Sequence, residues 1–179
     1  QPKGDLEQLW NTLGVELITS GGQPSFGGAG PSPIVVWQDY NPHPKLELPS
    51  EFVFVDQALE SLGGGIAALN QESAVTSGLQ EMLFPFPGGL RTKEKANVSF
   101  SPLARTGTRS GTIDVAAILG NRGDSRMLQA FEQPGQEAMV LAASVQREGQ
   151  AAAAAQPQPG ETSAEGDDEA KPIQAIVVT

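Results

Sequence analysis

The sequence predicts an α/β domain, and three observations carry that expectation. A short amphipathic helix near the start runs straight into a β-prone segment, apolar runs of strand length recur along the chain, and the last of them, PIQAIVVT, is apolar almost throughout. A helix followed at once by a strand is half of an α/β unit. An apolar run without alternation suits a central strand covered on both faces.

Taken in order, Asp5 is a good N-cap, Leu6, Leu9, Trp10 and Leu13 fall at i, i+3, i+4 and i+7, and Gly14 suits the position just past a helix end. Val15, Leu17 and Ile18 read as a strand. Residues 20–33 are rich in Gly, Pro and Ser without periodicity and form a loop. Residues 34–37 (IVVW) and 52–55 (FVFV) are strands, and between them Pro42 and Pro44 hold the chain extended or turned around His43. Gly63, Gly64 and Gly65 interrupt 59–69, so that stretch is not one helix. A helical turn is expected over 77–82, strands over 83–86 and 98–103, a polar turn over 106–110, and a helix or strand over 115–119. Residues 139–145 are apolar between polar flanks and read as a buried strand.

The domain plan follows from a break in composition. Residues 1–149 are expected to be the α/β domain. Residues 150–170 hold five consecutive alanines, Pro157, Pro159, Gly160 and the acids Glu161, Glu165, Asp167, Asp168 and Glu169, the composition of a disordered linker. Residues 171–179 then return as a core strand of the same domain. The first residue is Gln1 and the last strand stops mid-pattern, so the chain reads as part of a longer protein.

Bulk properties exclude several function classes. A formal charge of −10 over 179 residues argues against nucleic-acid binding and against adsorption to anionic lipid. With no cysteine there is no disulfide, thiol nucleophile or cysteine-ligated metal. No apolar run reaches the roughly 18–20 residues that span a bilayer.

No catalytic set stands out. His43, the single histidine, lies between two prolines, and no G-x-S-x-G elbow is present. Asp39, Asp56 and Asp114 are scattered, and Asp167, Asp168 and Glu169 lack the spacing of a calcium loop. The glycine pairs and triplet show neither a P-loop nor a dinucleotide fingerprint, so no cofactor is expected. Arg122-Gly123-Asp124 and Asn97-Val98-Ser99 are short enough to arise by chance.

One anomaly is a basic stretch, Arg91, Lys93, Lys95, Arg105 and Arg109, interrupted by a single acid, Glu94. With the aromatic residues Trp37 and Tyr40 it forms the candidate interaction patch, suited to an anionic ligand or, by stacking and hydrogen bonding, to a glycan. The bland alternative for the basic residues is the solvated faces of two strands.

The order of segments carries a resemblance. The helix LEQLWNTLGVEL, the strand PIVVW, then SAVTSGLQEMLFPFPGGLR, VSFSPLARTGTRSGTID, AMVLAASVQ and PIQAIVVT follow in turn. Thr76, Gly78, Leu79, Phe84 and Pro85 fit one motif, Pro102, Leu103, Arg105 and Thr106 a second, and Ile176, Val177, Val178 and Thr179 the approach to a third. This progression resembles the auxiliary components of ABC transport systems of the gliding-motility (GldG-like) type. The resemblance implies a Rossmann-like, glutamine-amidotransferase-like three-layer fold whose first strand precedes this chain. It also implies an extracytoplasmic (periplasmic) location, tethering by transmembrane segments outside this chain, and an ABC permease and ATPase as partners. It supplies no catalytic residues, and an amidotransferase-like enzyme would lack its thiolate. The expected role is a non-catalytic scaffold subunit, with a glycan-binding extracytoplasmic module as the alternative.

Overall fold

A computed structural model describes residues 7–18, 34–59, 67–94, 96–121, 124–135, 137–147 and 172–179. The expected linker at 150–170, the loop at 20–33, the glycine triplet, Asp5, Leu6, Lys95 and the Arg122-Gly123 pair lie outside those residues.

The described chain is mostly β, 41% strand against 16% helix. The order is α1 (Glu7–Leu13), β1 (Val15–Leu17), β2 (Ile34–Gln38), β3 (Phe52–Asp56), β4 (Glu81–Pro85), β5 (Leu90–Thr92), β6 (Ser99–Arg105) and β7 (Ser110–Asp114). It continues with α2 (Val115–Gly120), α3 (Ser125–Leu128), a 3₁₀ turn (Gln129–Phe131), β8 (Gln133–Pro134), β9 (Val140–Arg147) and β10 (Ile173–Val178).

Every strand pair among the described residues is antiparallel. This overturns the expected α/β, Rossmann-like three-layer domain. A parallel sheet needs crossover helices lying over its faces, whereas the described helices are short. Helix α1 does lead into β1, but β1 then turns to pair antiparallel with β5, Val15 opposite Thr92.

Strand β9 organises the largest sheet. Val140 pairs with Arg105 of β6 and with Leu90 of β5, so those strands lie on opposite edges. Ala142 likewise pairs with Ala104 of β6 and Val178 of β10, which puts β5 and β10 end to end along one edge of β9. Thr179 fastens that junction, its hydroxyl 2.8 Å from the Gly88 carbonyl and 3.0 Å from that of Leu141. Strand β6 contains Pro102, which cannot donate to a ladder. The register slips just after it, leaving Leu103 as an inserted residue. Asn70 covers the irregular backbone there, its side-chain amide donating to the Pro102 carbonyl at 3.2 Å and its N–H to that of Leu103 at 3.0 Å.

Strand β10 corrects a second expectation. It is not a central strand: among the described residues it pairs only with β9, and Ile176 and Val178 are 53% and 58% exposed. Only Val177 of this strand is buried, so its continuous apolar run does not report two covered faces. The turn of helix expected over 77–82 is also absent; hydrogen-bonded turns lead into β4 instead.

Three apolar clusters hold the elements together. The largest joins Val36, Val53, Val55, Phe84, Leu103 and Leu141. A second gathers Val15, Leu90, Ala143, Val145 and Val177 beneath Trp10 and Leu13 of α1. The third, Val35, Ile113 and Leu128 with part of Trp37, packs α2 and α3 on the smaller sheet β2–β7–β8. Gly14 ends α1 at φ 65°, the left-handed conformation expected of a residue just past a helix.

The motif residues singled out in the sequence serve this frame. Phe84 and Leu103 are core. Thr76, 3% exposed, donates to the Asn70 carbonyl at 2.6 Å and closes the turn before β4. Thr106, 2% exposed, accepts from the Met139 N–H at 2.9 Å and shares a hydrogen bond with Ser110.

Candidate functional site

A cleft of about 790 Å³ opens between the end of β2, the segment 48–52 that leads into β3, and the 3₁₀ turn before β8. Strand β2 brings Trp37 and Gln38 to it and the residues just after the strand Asp39 and Tyr40, the segment into β3 brings Ser50 and Glu51, and Glu132 closes it from the other side. The wall is fixed by Gln38, 2% exposed, whose carboxamide accepts from the Gly107 N–H at 2.6 Å and donates to the Phe54 carbonyl. A buried amide satisfied at both ends holds the loop at 107 against two strands.

His43 anchors one flank. Its Nε2 lies 2.8 Å and 2.9 Å from the two carboxylate oxygens of Glu81, and its ring meets that of Phe54 edge-on, 5.5 Å between centroids. Asn41 accepts from the His43 N–H at 2.7 Å and donates to the Leu46 carbonyl at 2.8 Å, an Asx turn that shapes the segment between the prolines. The histidine thus ties that segment to β4.

Electrostatically the cleft is acidic, with Asp39, Glu51 and Glu132 against Arg109. Arg109 pairs with Asp39 at the exposed rim. Burial pushes the Glu132 carboxyl above the ordinary carboxylate range; the Ser50 hydroxyl, donating at 2.9 Å, opposes this, while Glu51 and Asp39 add to it. Burial also pushes the Tyr40 phenol up, with Asp56 and Glu81 acting the same way, so Tyr40 stays a neutral donor.

The raised Glu132 carboxyl has a consequence for stability. The folded state keeps this proton to higher pH than the unfolded chain does, so the group's contribution falls as pH rises from about 4.3 through the raised folded value. Glu132→Gln removes that penalty and leaves an oxygen for Ser50. Thermal melts are expected to show the variant above the parent at pH 7, with the gap closing near pH 4. A gap that widens on acidification would mean the carboxylate is held charged.

The candidate patch divides. Trp37, Tyr40 and Arg109 line one cleft. Trp37 and Tyr40 are half-buried, each with part of its ring packed on a core cluster. The Trp37 Nε1 is buried and has no hydrogen-bond partner among the described residues. Arg91 stands opposite Glu16 across β1 and β5 and pairs with it, and the Lys93 ammonium donates to Asn11 of α1. Arg105 lies half-buried on β6, and Lys95 is outside the described residues. An exposed cross-strand pair is worth little. Arg91→Ala is expected to cost under about 1 kcal/mol in urea titrations, less in 1 M salt.

Sequence reasoning missed Ser50, Glu51 and Glu132. They sit in segments without periodicity, and only the return of β8 to β7 brings Glu132 to the cleft. No group of acidic residues and histidine among the described residues converges as a metal site. No described helix is long and apolar enough to cross a membrane.

The described residues form an antiparallel body with a polar cleft walled in part by aromatic side chains. Residues 33–179 match the family described as an ABC-type uncharacterized transport system, and the chain therefore belongs to that family of auxiliary ABC transport components. No curated protein and no solved structure matches it.

Proposed function

We propose that this protein is the non-catalytic, extracytoplasmic scaffold part of an auxiliary subunit in a gliding-motility-type ABC transport system. It docks to the permease and, through it, works with a separate ATPase. The observation that carries the reading is the family match over 33–179, supported by the order of motif segments along the chain. The motif residues close turns and fill the core, as a scaffold requires, and the single histidine is bonded to a carboxylate rather than to a hydroxyl nucleophile.

Affinity purification of the full-length parent protein from gently solubilised native membranes tests this. Recovery of an ABC permease and ATPase is the expected result. A stable complex holding neither would remove the reading.

A second reading, a glycan-binding extracytoplasmic module, is favoured by one observation. Trp37, Tyr40 and Arg109 line the same cleft, which pairs aromatic faces with hydrogen-bonding groups. Silence on a glycan array would dismiss it.

A further inference from the structure

Strand β10 is an edge of the large sheet, and among the described residues its outer side carries no strand. The register fixes which backbone groups face outward. The Thr179 N–H donates to the Leu141 carbonyl at 3.1 Å, and bonded and non-bonded pairs alternate along an antiparallel ladder. Ile173, Ala175 and Val177 therefore turn their N–H and C=O groups to β9, while Gln174, Ile176 and Val178 turn theirs away from it. These three are also exposed, Ile176 at 53% and Val178 at 58%. Natural edge strands are guarded by charge, proline or a bulge. From Ile173 to Val178 there is no charged residue, no proline and no break in register. Such an edge is a template for another strand.

The geometry of the open stretch suits one strand above others, the same β10 in a second copy. Pro172 belongs to the outward set but has no N–H, which ends the ladder on that side. At the other end β1, pairing outside β5, takes the same edge position, and Leu17 of β1 and Thr179 both flank Gly88. What remains, 174–178, is symmetric about Ile176. A two-fold axis there sets Ile176 opposite its own counterpart and Gln174 opposite Val178 in both directions. Every outward N–H then meets a carbonyl, as a self-complementary contact requires. No like charges meet across the seam although each chain carries −10, and Ser144 and Gln146, the β9 neighbours of Ile176 and Gln174, are uncharged as well.

We infer that β10 pairs antiparallel with the β10 of a second copy of this chain, joining two large sheets into one across a two-fold axis at Ile176. A six-residue strand is about 20 Å long, a seam below the roughly 1,200 Å² of a standard interface, so the dimer forms reversibly.

Sedimentation equilibrium of the full chain between about 1 μM and 1 mM tests this. A monomer–dimer equilibrium is expected. Ile176→Pro removes the two central intermolecular hydrogen bonds and leaves β9 its donors, so it should weaken the dimer roughly thirtyfold. Ile176→Lys, which sets two ammonium groups face to face, serves if the proline variant fails to fold. Arg91→Ala, away from the seam, should change nothing. Cysteine variants read the register, since the chain has no cysteine of its own. Ile176→Cys would lie about 5.5 Å from its counterpart between Cα atoms and should oxidise to a covalent dimer. Gln174→Cys, about 14 Å from its counterpart, should not. Monomer at every concentration, growth beyond the dimer, a dimer indifferent to both Ile176 substitutions, or equal cross-linking of the two cysteine variants would overturn the inference. So would a monomer whose Ile176→Pro form loses a protein that otherwise co-purifies with it, because the edge would then belong to that partner.

Discussion

Leu141→Ala is expected to lower stability by about 2–5 kcal/mol, the range for truncating a fully buried leucine. Leu141 is 0% exposed and sits in β9, the strand that both edges of the large sheet depend on. Its side chain belongs to the cluster that also holds Val36 of the smaller sheet and Val53 and Val55 of the β3–β4 ribbon. The cavity would therefore open where three sheets meet. In urea titrations the midpoint should fall with little change in slope. Ile176→Ala is the matched control: Ile176 is 53% exposed on β10, and its loss should stay within about 0.5 kcal/mol. If the two substitutions cost the same, β10 would be a covered strand and the assigned topology would be wrong.

Gly111→Ala is expected to cost about 1–3 kcal/mol through overpacking. A Cβ at this position would stand 2.1 Å from the backbone oxygen of Gln133 and 2.8 Å from Trp37 Nε1. A side chain could rotate away, but a backbone carbonyl cannot, so β8 would have to part from β7 where Gly111 faces Pro134. Both Trp37 and Pro134 line the cleft, so the same change should loosen its wall. Reduced stability together with a red shift in tryptophan emission is the expected pair of signals. Unchanged stability would show that β8 does not close on β7 in solution.

The elements with strong local signals were legible in the sequence. The helix ending at Gly14 and the runs IVVW and FVFV lie within a residue or so of where the periodicity and β-propensity place them. Strands β5, β7 and β8 were not, because Leu-Arg-Thr, Ser-Gly-Thr-Ile-Asp and Gln-Pro have no strand signal of their own. They are strands because a distant partner supplies the other half of each hydrogen bond. The same dependence hid the sheet's antiparallel order, since propensity carries no direction. It also explains the misreading of β10: an apolar run reports hydrophobicity, and only the fold decides which faces are covered. At the cleft, Trp37, Tyr40 and Arg109 could be picked out by residue type. Glu51 could not, because its neighbours lie far along the chain: the Phe86 N–H donates to its carbonyl at 2.9 Å, and its charge acts on Glu132.

The strand pairings carry a kinetic consequence. Val15 meets Thr92 and Ile34 meets Asp114, so the chain must close large loops before either ladder returns any free energy. Proteins whose contacts are this non-local fold on the millisecond-to-second scale, far slower than helical domains of equal length. During that interval the apolar segments 34–37 and 52–55 are exposed strand-formers without partners, and the refolding yield should fall steeply as protein concentration rises.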